Sequence, residues 1–377
     1  MGCTAFAESK PFENAKLSVL VCSPGEPIYS QYGHAAIRLL DHEQNVDVVF
    51  DYGVFTFDDL PKFVWNFLTG NMYYLCWTRA MEQTLWEYEY EGRAINEFPL
   101  DLTPDETQRI CSFLLWNIRP ENQSYLYNFF EDNCATRICT LLEREFPTIK
   151  WNENYQPTTW RQLIFQYADG NSWIGYGIHL GLGLPADTIM STRQMMFVPD
   201  YLGKALETAT HDGKQLSPQN EQILRASQVS KTAWWDNSAL FLWILAVLFA
   251  VQTIIELKKD KRCIWCDVVF YTVTGFVGCV IWFISFVSIH SLVFPNCDTI
   301  WLTPFHFIFA ITLMIPALQN RTKWYYIFAA GMIFVYLAVS VIVGQYIAPS
   351  SWPLMLIFIS RSVYPILGKK RSRASIL

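Results

Sequence analysis

Two rhythms of apolar and polar residues divide the chain. Up to Asp236 they alternate on the short periods of a globular protein; from Ser238 onward apolar residues run together in long blocks separated by brief polar connections. Leu17–Cys22 is an apolar run of strand length. Tyr32–Leu40 and Val46–Tyr52 are strand-like runs joined by the polar turn Asp41–Asn45, which predicts a hairpin. Met72–Thr78 and Arg93–Leu100 have the same character. Thr103-Pro104-Asp105-Glu106 is a capping box with proline at the first helical position, and predicts a helix to about Trp116. A second helix is expected from Asn133 to about Glu145, with Ile138, Leu141 and Leu142 at helical spacing. The glycine-rich segment Gly170–Gly183 reads as a surface loop, with a lid or lipid groove as the alternative for it or for Trp65 and Phe67. The part before the blocks is expected to be α+β, an antiparallel sheet with helices packed on it.

The long blocks are Ser238–Ile255, Asp267–Ile289, Trp301–Leu318, Trp324–Tyr346 and Pro353–Leu367. Each approaches the ~20 residues that a membrane-spanning helix needs. Lys258, Lys259, Lys261 and Arg262 follow the first block, Arg321 and Lys323 the third, and Lys369, Lys370, Arg371 and Arg373 the fifth; the other two connections hold no Lys or Arg. Because positive loops stay on the cytoplasmic side, five helices are expected, with the C-terminus in the cytoplasm and the soluble part outside it. Export requires a signal, and Ala5-Phe6-Ala7 is similar to an A-x-A cleavage site. The expected organisation is a signal remnant at 1–10, a soluble catalytic domain at 11–235, a transmembrane domain at 236–368 and a basic tail at 369–377.

Charge and cysteines narrow the function. Through Asp236 there are 30 acidic residues against 17 basic; beyond it, 11 basic against 4 acidic. An acidic soluble domain without a Lys/Arg cluster argues against nucleic acid as partner. Cys263-x-x-Cys266 has no second pair, and there is no Walker loop, dinucleotide fingerprint, Ser/His/Asp motif or paired metal-ligand cluster, so neither metal nor cofactor is expected.

Two segments hold residues suited to nucleophilic chemistry. In Asp132-Asn133-Cys134-Ala135-Thr136-Arg137 the caps precede the cysteine, so Cys134 falls in a first helical turn. The free N–H groups and the dipole there favour a thiolate and a developing oxyanion. In Tyr32-Gly33-His34-Ala35-Ala36-Ile37-Arg38, strand alternation puts Tyr32, His34, Ala36 and Arg38 on one face, between small residues that leave room for a substrate, and the apolar Gly33, Ala35, Ile37 and Leu39 on the core face. An imidazole suits a thiol nucleophile that must lose and later return a proton. Asp51 and Asp132 are both candidates for a third group that orients it.

Taken together, these segments resemble the circularly permuted papain-like fold, in which histidine precedes cysteine, as in lecithin:retinol-type acyltransferases and opposite to the order in NlpC-type peptidases. The closer resemblance is to bacterial lipoprotein N-acyltransferases of the Lnb type. It rests on Tyr32-Gly33-His34 with Arg38, Asp51-Tyr52-Gly53 with Phe55, Tyr125-x-Tyr127, Asp132 to Arg137, and Phe197-x-Pro199-x-x-Leu202. It implies His34 and Cys134 as catalytic pair and leaves the third member unassigned; Asn133, Asp132 and Asp51 are the candidate orienting or oxyanion groups, and Tyr32, Arg38, Tyr127 and Arg137 the candidate substrate contacts. It further implies an enzyme that modifies lipoproteins at the outer leaflet of the inner membrane, without fixing the substrate; the expected reaction takes an acyl chain from a phospholipid and gives it to a diacylglyceryl lipoprotein. A membrane-tethered cysteine peptidase or amidase acting on peptidoglycan, and a scaffold with a degenerate domain, are the rival readings.

Overall fold

A computed structural model describes residues 12, 14–55, 59–152, 155–227 and 234–367. The expected signal remnant and the basic tail lie outside the described residues. The chain forms two compact units, Met1–Thr158 with Ile189–Lys231, and Thr159–Thr188 with Thr232–Leu377.

In chain order, the first unit holds β1 (Lys16–Cys22), β2 (His34–Asp41), β3 (Val46–Val54), α1 (Leu60–Thr69), β4 (Met72–Ala80), α2 (Met81–Tyr90), β5 (Ile95–Pro99), α3 (Pro104–Asn117), β6 (Ser124–Tyr127) and α4 (Cys134–Glu145). Helices α5 (Trp160–Tyr167) and α6 (Trp173–Gly181) belong to the second unit. The chain returns to the first with α7 (Thr192–Met195), α8 (Pro199–Leu206) and the short strands β7 (Thr210–His211), β8 (Lys214–Gln215) and β9 (Glu221–Leu224). The rest of the second unit is α9 (Ser238–Lys259), α10 (Ile264–Val287), α11 (Phe305–Met314), α12 (Lys323–Val343) and α13 (Ser351–Leu367).

The first unit is α+β, as its alternation predicts. Seven strands pair antiparallel in the order β6-β4-β3-β2-β1-β5-β9. The hairpin turns where expected, with Asp41 accepting from the N–H groups of Glu43 and Gln44. Both sheet faces are covered. Val19, Val21, Ile37 and Phe50 pack with Ile138 and Leu142 of α4 and Leu202 of α8; on the opposite face Leu20, Cys22, Ala36 and Val49 pack with Met81 and Tyr88 of α2. This corrects the expectation that the His34 face of β2 is open around its small residues, since Ala36 is buried beneath a second apolar layer.

In the second unit, four helical segments are long and apolar enough to cross a membrane: Ser238–Lys259, Ile264–Val287, Cys297–Met314 and Lys323–Val343. The third is not one helix, because Thr303-Pro304 separates the turn Cys297–Ile300 from α11. The block ending at Leu367 forms α13, whose 17 residues make it shorter than the other four segments. The glycine-rich segment is a helix, not a loop. Ser172 caps it by accepting from Gly175, and a Cβ on Gly175 would sit 2.0 Å from the Asp169 carbonyl oxygen, so glycine serves close packing there. Arg161, 3 % exposed, ties this segment together through Asp187 at 2.8 Å and the carbonyls of His179 and Leu182. Asn296 donates to the Leu180 carbonyl and Ser238 to that of Asn171, which is why 159–188 groups with the apolar helices although it precedes Trp235.

Candidate active site

Gly33 sets up the site. Its φ is +82°, a region that favours glycine, and a Cβ there would lie 2.7 Å from the Cys22 carbonyl oxygen. The turn delivers His34 to the first position of β2, opposite Cys22. Ala36 is opposite Asp51 on β3, so His34 and Asp51 are diagonal neighbours on one face. The His34 Nε2 and Asp51 Oδ1 atoms are 2.8 Å apart. The second carboxylate oxygen of Asp51 is held by Arg79 Nε at 2.5 Å.

Cys134 opens α4 behind the N-cap Asn133. Its electrostatic partners are His34 and the backbone N–H groups of Ala35 and Ala135. With Nε2 on Asp51, Nδ1 is the ring nitrogen left for the thiol. Burial alone would raise the Cys134 pKa, but the imidazolium, its hydrogen bond and the two amides hold it below the ordinary thiol value. The His34 pKa is raised to about 10: burial opposes its charge, and the Cys134 thiolate and Asp51 outweigh that. Asp51 is driven lower despite burial, by His34 and then Arg79. Each charge of the pair thus favours the other: the imidazolium favours the thiolate, and the thiolate with Asp51 favours the imidazolium. Cys22, Cys76, Cys111 and Cys139 go the other way, pushed up to about 12 by burial, so among the described cysteines of this unit only Cys134 is held below the ordinary thiol value.

The remaining expected residues separate cleanly. Asn133 does not offer an oxyanion donor: its Oδ1 accepts from Thr136 N–H, and its Nδ2 donates to the carbonyls of Phe129 and Phe197 at 2.9 and 2.8 Å. It caps α4 and ties it to the segment before α8. Asp132 pairs with Arg137 at 2.7 Å instead of with His34. The Arg137 guanidinium lies 3.5 Å from the centre of the Tyr125 ring. Arg38 forms salt bridges to Asp47 at 2.8 Å and Glu97 at 3.0 Å, a cross-strand clamp. Tyr32 meets Phe129 edge to face at 4.8 Å. Tyr127 stacks on Tyr74 at 4.2 Å, and the Cys134 thiolate adds to burial in raising its pKa.

Arg79 and the Phe197 carbonyl were not anticipated. Trp77 of β4 is opposite Asp51, so Arg79 two positions on shares its face; that signal exists only once the β3–β4 register is known.

The ion pair carries a pH prediction. Asp51→Asn removes one of the charges that raise His34, so its pKa falls from about 10, and with a weaker imidazolium the Cys134 pKa rises. The window in which thiolate and imidazolium coexist narrows from both ends. The rate at which iodoacetamide alkylates Cys134 is expected to drop about tenfold at neutral pH, with its acid limb moved upward; a tenfold change in ionised fraction corresponds to about 1.4 kcal/mol. An unmoved pH profile would remove Asp51 from the site.

Residues 4–166 match the family model described as the Lnb N-terminal periplasmic domain, and residues 232–373 that of the Lnb transmembrane domain. No curated protein and no solved structure matches the chain. His34, Asp51 and Cys134 all fall inside the first match.

Proposed function

The chain belongs to the Lnb family of membrane proteins with a periplasmic N-terminal domain, and we propose that it is a lipoprotein N-acyltransferase working through a Cys134 thioester. The observation that carries this reading is the chain of contacts Cys134–His34–Asp51 at the start of a helix, in a protein anchored among lipids. In this reading the domain is a permuted papain-like fold, α13 is a fifth membrane span, the membrane is the bacterial inner membrane, and the C-terminus is cytoplasmic. The loop charges support that topology.

The Cys134 thiolate attacks the ester carbonyl of a phospholipid. The tetrahedral intermediate collapses with loss of the C–O bond, and the His34 imidazolium protonates the departing lysophospholipid alkoxide. A thioester and a neutral imidazole remain. The α-amine of a diacylglyceryl-cysteine then attacks, His34 takes its proton, and the C–S bond breaks to regenerate thiolate and imidazolium. The net exchange turns an ester and an amine into an amide and an alcohol, with no redox change. Asp51 keeps Nδ1 aimed at sulfur throughout.

Trapping the intermediate tests the reading. Incubation with phospholipid and no acceptor is expected to leave a fatty acyl group on Cys134 that neutral hydroxylamine removes. A diacylglyceryl-peptide with a free α-amine discharges it into an amide; the N-acetylated peptide does not. Release of free fatty acid or cleavage of peptide without that species would mark a hydrolase, and transfer without any acyl-Cys134 would exclude the covalent step.

A further inference from the structure

We propose that α1 docks the periplasmic domain on the outer leaflet, and that the ring row Phe63, Phe55, Tyr74 and Tyr127 guides a lipid acyl chain from there to Cys134. The proposal rests on the acyl-transfer reading for its end point, and on separate observations for its surface and its path.

The surface is α1. A ten-residue helix of an ordinary water-exposed domain turns its apolar stripe inward, yet here Val64, Trp65 and Phe67 are 45, 58 and 55 % exposed. Between Asp59 and Arg79 the only charged residue is Lys62, itself exposed in the first turn of α1. Exposed Trp and Phe beside a single long cation is the composition of a helix lying in a lipid interface: the rings enter the acyl boundary and the lysine reaches back to a phosphate. No carboxylate follows Asp59 on α1 to oppose an anionic headgroup. The occupant is the leaflet because the protein's own second unit is membrane-embedded, so that surface is always at hand.

The path begins at Phe63, an α1 ring that packs against the core. Phe63 stacks on Phe55 with centroids 5.8 Å apart, Phe55 on Tyr74 at 4.7 Å, and Tyr74 on Tyr127 at 4.2 Å, with interplanar angles of 24, 14 and 26°. Stacked on one another, the rings present a continuous line of apolar edges along which an extended hydrocarbon chain can run. Tyr127 and Cys134 then pack against the same core. Gly53 helps to place the row: with φ at +97° it sits in the irregularity of β3 just before Phe55, 3.9 Å from the Tyr74 ring at its Cβ position.

The test uses the full chain in vesicles of phosphatidylethanolamine and phosphatidylglycerol. Trp65→Asp/Phe67→Asp is expected to lower acyl loading of Cys134 about tenfold or more, since charged residues on the apolar face abolish interfacial binding. Alkylation of Cys134 by water-soluble iodoacetamide reports whether the domain remains folded. Trp86→Asp, which removes an exposed ring from α2 instead, is expected to load like the unsubstituted chain. Normal loading by the doubly substituted chain, or equal loss in Trp86→Asp, overturns the proposal. Should the double variant also lose alkylation, a photoreactive phenylalanine analogue at position 65 decides: adducts to lipid acyl chains support docking, whereas adducts to protein alone, or none, overturn it. If the unsubstituted chain never forms acyl-Cys134, the transfer reading fails, and the adduct experiment still reports on α1 by itself.

Discussion

Cys134→Ser is expected to lower acyl transfer on the order of 10⁴-fold or more, and His34→Ala to match it, because nucleophile and base act as a unit. The double variant should be scarcely worse than either single one. Serine in the same helix turn keeps the shape of the site, but its hydroxyl cannot ionise in the field that suffices for a thiol already held below its ordinary pKa. His34→Ala removes the charge that contributes most to that depression, so the thiol reverts toward the neutral form that burial favours, and no group remains to protonate the lysophospholipid. Cys139→Ser is the control. That thiol lies 3.8 Å from the Met196 sulfur in the core, where burial pushes it up to about 12, so its loss bears on packing and not on the chemistry. Transfer measured by mass spectrometry of an acceptor peptide N-terminus checks all four. Loss in Cys139→Ser equal to that in Cys134→Ser, with both proteins folded, would shift the nucleophile assignment.

The parts of this site that could be read from sequence are those set by local chemistry. A cap followed by a cysteine places Cys134 whatever the fold, and the capping box at Thr103 does the same for α3. Alternation and the polar turn at Asp41–Asn45 yield β2 and β3. What stayed open depends on register and on competition. Asp51 and Asp132 were equal candidates until Ala36 was found opposite Asp51 and Arg137 was found on Asp132. Asn133 looked available for an oxyanion because its cap role uses only its oxygen; the Phe129 and Phe197 carbonyls that occupy its amide lie 4 and 64 residues away. Helix α2 escaped notice because only Met81, Thr84 and Tyr88 are buried, too sparse a stripe to stand out. Helix α6 was hidden by its three glycines, of which Gly175 serves close packing while a Cβ on Gly177 or Gly181 would meet nothing within 4 Å. The break at Thr303-Pro304 falls inside an apolar block, where the proline is its local signal.

Arg361→Met is expected to destabilise the second unit by roughly 3–5 kcal/mol, the usual cost of stranding a buried charge by removing its partner. Arg361 is fully buried in α13, with Nε 2.6 Å from Asp267 Oδ1, Nη2 2.9 Å from Glu256 Oε2 and Nη1 2.9 Å from Thr253 Oγ1. Arg262 adds a second cation to Asp267 at 2.6 Å, and the Tyr326 hydroxyl donates to the same carboxylate at 3.0 Å. Two cations and two carboxylates make a neutral cluster that links α9, α10, α12 and α13. Removing Arg361 leaves one excess negative charge where water is scarce. Asp267→Asn in the same chain restores the charge balance, so Arg361→Met/Asp267→Asn should lose less than Arg361→Met alone, although it has lost more hydrogen bonds. Thermal unfolding in detergent, followed by maleimide labelling of the half-buried Cys266 and Cys297 of this unit, reads the order. If the double variant is the less stable, the cluster works through its hydrogen bonds and not through charge balance. If Arg361→Met melts like the unsubstituted chain, the arginine is no clamp.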